Sequence, residues 1–179
     1  MNIASKKELR RVIRYEKKIY LPGPASENIM LRFVHDERLL FFKYLRLLRK
    51  EEYYLGRRGL ARKMHRIYTR RKNILGNKIN VKIIPLYTGK GVNIHHKGVI
   101  INGIIGDDCV FHGQNCIGND GVHEEKIPTV GSGVHFGFGS TAFGDITIAD
   151  NVFVGAGAVV VKSIEQPGST AVGIPASVK

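Results

Sequence analysis

From about Ile105 onward, aliphatic or aromatic residues recur at every sixth position: Ile105, Phe111, Ile117 and, past an interruption, Val130, Phe136, Ala142, Ile148, Val154 and Val160. Glycine often follows directly, as at Gly106, Gly118, Gly131, Gly137 and Gly155. Neither a helix, with its 3.6-residue period, nor an alternating strand generates this spacing. It suits a parallel β-helix, in which each short strand stacks on the coil below and the chain turns a corner at a small residue. The register fails between Ile117 and Val130, so a loop at about 119–129 is expected, thrown out from one corner. Insertions of this kind cluster on one face of a repeat and often close over a site. The period is lost again at Gly173-Ile174-Pro175-Ala176, which reads as a C-terminal tail rather than another coil.

The first 79 residues follow a different pattern. A basic helix is predicted from about Lys6 to Tyr20, stopped by Pro22-Gly23-Pro24. A second begins near Asp36 and runs through Glu52, with Leu39, Leu40, Phe42, Tyr44, Leu45 and Leu48 as its apolar stripe. After Gly56 and Gly59 a third is expected from Leu60 to about Asn73, with Leu60, Met64, Ile67 and Tyr68 inward and Gly76 ending it. Ile79, Val81, Ile83 and Ile84 then lead into the repeat. The reading is a mainly β chain: a parallel β-helix over 80–179 with an N-terminal α-helical cap over 1–79.

Charge sharpens this division. The chain of 179 residues carries a net +13. Residues 1–79 hold 22 Lys/Arg and 7 Asp/Glu, whereas residues 80–179 hold 6 and 8. The basic helices admit a solvated face, docking on an anionic membrane surface, or contact with an acidic glycan. A nucleic-acid partner is not expected, since no basic-aromatic stacking pattern or binding motif accompanies the charge. Cys109 and Cys116, both inside the repeat, read as reduced small residues of a cytoplasmic protein. Lys6, Lys7, Glu8, Arg10 and Arg11 leave no apolar run for a signal peptide, and no stretch approaches the roughly 20 apolar residues of a membrane helix. The expected location is cytoplasmic, peripheral at the inner membrane face if the basic helices dock there.

The run Ile148-Ala149-Asp150-Asn151-Val152-Phe153-Val154-Gly155-Ala156-Gly157-Ala158-Val159-Val160-Val161-Lys162, followed by Gly173-Ile174-Pro175-Ala176, resembles the hexapeptide-repeat acyltransferases. Leu47 to Tyr54 and Gly89 to His96 extend the likeness to the branch of serine acetyltransferases and capsular-polysaccharide O-acetyltransferases. The resemblance implies a left-handed parallel β-helix, a homotrimer, and acetyl-CoA as co-substrate in the groove between protomers, with no metal.

An acetyl transfer of this kind needs a base that takes the proton of a hydroxyl as it attacks the thioester, a task suited to histidine. The family places its catalytic histidine after a Gly-x-Gly turn. Counted from Gly89 and Gly91 this is His96, and counted back from Gly98 it is His95. The resemblance further implies cofactor contacts at His135, at Gly137, Gly139 and Ser140, at Gly155, Ala156 and Gly157, and at Lys162 and Pro175. His112 and Gln114 are candidate acceptor contacts, and Asn115 is either an active-site group or a rung of a stacked amide ladder. His123 reads as solvated in its loop.

Departures from the serine enzymes bear on the acceptor. Their second histidine, in an Arg-His-Pro segment, is matched here by Ile127 of Lys126-Ile127-Pro128. The acid that orients the first histidine falls near Val81, and the Asp-Pro motif of the helical domain has no counterpart. A saccharide acceptor in capsule or exopolysaccharide synthesis is therefore expected, with serine O-acetylation as the alternative. Two rivals remain: a zinc enzyme resembling γ-class carbonic anhydrases, using His112, His123 and His135, and a non-catalytic scaffold.

Overall fold

The computed structural model describes residues 3–179, which divide into compact units at residues 79 and 80. The first is helical: α1 (Lys6–Tyr20), α2 (Ala25–Phe33), α3 (Glu37–Tyr54) and α4 (Leu60–Ile79). Ser5 starts α1 by accepting the Glu8 N–H at 3.1 Å while the Glu8 carboxylate reaches back to the Ala4 N–H at 2.9 Å. This reciprocal arrangement satisfies orphan donors of the first turn. Asp36 caps α3 through the Arg38 N–H at 2.8 Å. Phe41, Tyr44, Leu45, Leu47 and Leu48 of α3 are buried among α1 and α4, the helices it packs against.

Three expectations for these helices change. The short α2 lies where a turn was expected to lead directly to α3. Gly76 does not end α4, which continues to Ile79; the buried Leu75, Gly76 and Ile79 show packing overriding the helix penalty of glycine, about 1 kcal/mol. Leu60 and Ile67, expected inward, are exposed.

The helical unit also buries charge. Arg49 lies fully buried between Glu16 of α1, 2.8 Å away, and Glu52, 2.9 Å away. Lys72 of α4 pairs with Glu51 at 2.7 Å, and the Thr69 hydroxyl donates to the same carboxylate at 2.8 Å. Among the described residues no helix is long and apolar enough to cross a membrane.

The second unit is built from three sheets of parallel strands, visited in turn. The first holds β1 (Val81–Ile83), β3 (Val99–Ile101), β6 (Cys116–Gly118), β9 (Thr141–Phe143) and β12 (Val159–Val160). The second holds β4 (Ile104–Ile105), β7 (Thr129–Val130) and β10 (Thr147–Ile148). The third holds β2 (Asn93–Ile94), β5 (Val110–Phe111), β8 (His135–Phe136), β11 (Phe153–Val154) and β13 (Thr170–Gly173), with β14 (Ala176–Val178) added antiparallel. The six-residue ladder is the core: all nine of its residues from Ile105 to Val160 are buried. In one column Ile94, Phe111, Phe136 and Val154 stack in register, and the Phe111 and Phe136 rings lie parallel at 5.2 Å. After Gly173 the tail turns back as β14, a hairpin strand rather than another coil. Residues 119–128 contain no strand and form the loop between β6 and β7.

Candidate functional site

The residue after each inward position of the third sheet faces outward at a corner. The backbone bonds from His95 N to Phe111 O, from His112 N to Phe136 O and from Gly137 N to Val154 O put His95, His112, Gly137 and Gly155 in one column. The sequence therefore stacks two imidazoles and then two glycines along the coil axis. The His95 and His112 rings meet edge to face at 4.7 Å. His135 comes from the neighbouring column, in register with Asn93, Val110 and Phe153, and its ring lies 6.3 Å from that of His112 and 6.4 Å from that of Phe153.

His96 occupies the same corner. A side chain at Gly113, which has a φ of +115°, would lie 2.7 Å from the His96 Cβ and 3.3 Å from the Phe138 ring. Gly113 thus permits the close approach of His96. This corner is one residue longer than those above it, since Ile94 and Ile101 stand seven apart where Phe111 and Ile117 stand six apart. The extra residue sets His95 and His96 side by side.

The electrostatics favour the neutral forms of His95 and His112. Burial pushes the His95 pKa below its ordinary value, and the nearby His112, His96 and His135 push it further. His112 is lowered by burial and then by His135 and His96. The Asn93 amide nitrogen lies 3.2 Å from His95 Nε2 and donates to it when that nitrogen is unprotonated. Among the described residues no hydrogen bond engages the His96 ring and no carboxylate pairs with any of these four imidazoles.

Asn115 supports the corner from inside. Its Oδ1 accepts the Gly113 N–H at 2.9 Å, and its Nδ2 donates to the Gly137 carbonyl at 2.8 Å and to Ser140 at 3.1 Å. It is not a rung of an amide ladder, because its partners are backbone and hydroxyl groups. Ser140 is spent in the same knot: its buried hydroxyl donates to the Gly137 carbonyl at 2.7 Å, its N–H bonds Gly137 and its carbonyl takes the Asn115 amide. Gln114 is exposed and covers Gly98, where an added Cβ would meet its amide at 2.6 Å.

The remaining candidates line the coils beyond. Gly139 and Gly157 both have positive φ and open space where a side chain would stand, and Ala156 between them and Lys162 are exposed. Gly137 and Gly155 are different: a Cβ there would meet Ala156 N at 2.6 Å and the Val172 side chain at 2.7 Å, so coil stacking itself demands glycine. Pro175 is exposed in the turn joining β13 and β14. His123 sits apart on the loop, its Nδ1 2.9 Å from Asp120 Oδ2. Among the described residues no group of three or more His, Cys, Asp or Glu side chains is arranged to hold a metal ion.

No family model matches the chain. A serine acetyltransferase of Helicobacter pylori strain J99 is 31% identical over 167 residues, 89% of this chain and 91% of that protein. The chain belongs to the hexapeptide-repeat acyltransferases. A putative colanic acid biosynthesis acetyltransferase, WcaB, of Escherichia coli K12 is 32% identical over 130 residues, 62% of this chain and 80% of its own length. Among solved structures, serine acetyltransferase from Brucella abortus in complex with coenzyme A has a TM-score of 0.72 at 21% identity, covering 97% of this chain and 68% of its own; at that identity the likeness shows the fold.

Within this superfamily the chain falls in the serine acetyltransferase and O-acetyltransferase branch and is an O-acetyltransferase with acetyl-CoA as donor. The four-histidine corner of this acyltransferase is only half visible as a linear motif. Asn93, Gly113 and Phe138 escape attention because each is unremarkable alone. A strict six-residue alignment misses this column, because 17 residues rather than 18 separate His95 from His112.

Proposed function

We propose that the enzyme transfers the acetyl group of acetyl-CoA to a sugar hydroxyl of a capsule or exopolysaccharide, with His96 as general base. In this reading His96 takes the hydroxyl proton as the oxygen attacks the thioester carbonyl. The tetrahedral intermediate then collapses, the C–S bond breaks, and the imidazolium returns its proton to the departing thiolate. The observation that favours His96 over its neighbour as base is the Asn93 amide on His95 Nε2, since among the described residues no hydrogen bond engages the His96 ring. His95, His112 and His135 would then line the acceptor and pantetheine side, and the open corners at Gly139 and Gly157 would admit the donor close to main chain. Exposed Lys162 and Pro175 are assigned to the nucleotide end of the donor. The coil is taken as a left-handed parallel β-helix that assembles as a homotrimer, with a donor groove between protomers.

Support for a sugar acceptor comes from two positions. Ile127 offers no second imidazole after the loop, and Val81 is buried in β1 and cannot orient a histidine. Serine is the second reading, favoured by the Helicobacter relative, whose match runs over nearly the whole chain. Free-thiol release from acetyl-CoA, measured with L-serine and with de-acetylated bacterial oligosaccharides, decides between them. Glycan-dependent release supports the proposal, and release with serine alone overturns it.

A further inference from the structure

Seven cations of α1, Lys6, Lys7, Arg10, Arg11, Arg14, Lys17 and Lys18, are exposed, while Val12, Glu16 and Tyr20 face the helical core. Projected down the axis at 3.6 residues per turn, the seven fall within an arc of about 140°. Lys6 and Arg10, Lys7 and Arg11, Arg10 and Arg14, and Arg14 and Lys18 stand four apart, where like charges destabilise a helix. Glu16 offers no relief, being buried against Arg49. No ion pair among the described residues engages any of the seven. A one-signed stripe maintained against self-repulsion points to an anionic partner.

Four residues, Leu21 to Pro24, join this helix to α2. There Phe33 is 80% exposed, Ile29 66%, Met30 59% and Val34 58%, an apolar cluster with Leu31 alone turned inward. That connection ties the cluster's helix closely to the end of the cationic one. A free polyanion satisfies the charge and leaves the apolar residues in water. A second copy of the chain covers them only by bringing two strongly basic units together. An anionic bilayer satisfies both, with headgroups for the lysines and arginines and an acyl boundary for Phe33 and Met30.

We infer that α1 and α2 form a docking surface for an anionic membrane, with α1 reading the headgroups and Ile29, Met30, Phe33 and Val34 entering the interface. The proposal is independent of which acceptor the enzyme acetylates. It is tested by co-sedimentation of the full chain with phosphatidylcholine vesicles, with and without phosphatidylglycerol, at low and high salt. Binding is expected only to the anionic vesicles and is expected to weaken with salt. Each of Lys7→Gln, Arg11→Gln and Lys18→Gln should weaken it about fivefold, and Met30→Ser with Phe33→Ser should abolish it, with the circular dichroism spectrum unchanged. Thiol release from acetyl-CoA with a soluble acceptor should be untouched by these variants, which separates failure of docking from failure of the catalytic reading. Absence of binding, equal binding to neutral vesicles, or vesicle binding indifferent to Met30 and Phe33 overturns the proposal. So does a sedimentation mass that falls in the Met30/Phe33 variant, which would assign the cluster to a second copy.

Discussion

The His95 ring meets the His112 ring edge to face, with centroids 4.7 Å apart and planes inclined at 72°. Two imidazoles this close cannot both carry a proton cheaply, and burial already disfavours the charged form of each. The corner therefore favours the neutral form of His95 and His112.

This coupling has a pH signature in stability. Both folded pKa values lie below the unfolded value of roughly 6.5, so the folded state binds fewer protons than the unfolded state as the pH falls through that region. The associated stability is fully present above the unfolded value and is lost on acidification towards the folded values. Thermal melts at stepped pH should show Tm falling as the pH drops below about 6.5, and His112→Gln should flatten that part of the slope. An unchanged slope in the variant would mean that the two rings do not share their protons.

The choice of base separates two adjacent residues. His96→Ala should lower kcat by about 10²- to 10⁴-fold, the usual contribution of a general base. His95→Ala should cost less, because it removes a neighbour rather than the base. A larger loss in His95→Ala would transfer the role to that ring and make the Asn93 contact its positioning bond.

Asn115 is predicted to matter to the same reaction from inside the coil. Asn115→Leu deprives the buried Gly113 N–H of its partner, a loss of about 1–3 kcal/mol, while the Gly137 carbonyl keeps its bonds from Ser140. Denaturant unfolding should register that loss. Gly113→Ala tests the neighbouring contact, since a methyl there must displace His96. It should reduce kcat while leaving the fold in place, and retention of full activity would show that His96 does not depend on the position it holds here.

The core of the repeat was legible because its signal is repeated: nine inward residues share one period, so no single position has to be read correctly. The helices were harder. Leu60 and Ile67 look like the inner face of α4, but its buried side is Lys72, Leu75, Gly76 and Ile79. Hydrophobicity could not reveal this, because Lys72 is buried by its pairing with Glu51 rather than by its own preference. The nine-residue α2 exposes nearly every side chain and so leaves no amphipathic trace. At the candidate site, the individual histidines were visible and their column was not, since His95 and His112 stand 17 residues apart, off the six-residue period.

Arg49 illustrates the same point about charge and gives a last test. Its guanidinium is fully buried and its pKa is raised: burial alone would lower it, and the attraction of Glu16 and Glu52 outweighs that penalty. Arg49→Met leaves two carboxylates in a dry interior and should destabilise the helical unit by about 3–5 kcal/mol. Arg49→Lys should recover only part of this, because a point charge cannot reproduce the fork that reaches both acids. Removing all three charges together, as Glu16→Leu, Arg49→Met and Glu52→Leu, should restore most of the loss, since the penalty comes from stranding a partner rather than from losing an attraction. Urea unfolding of the three variants distinguishes these cases. If the triple variant is as unstable as Arg49→Met, the network stabilises the helices outright and that account fails.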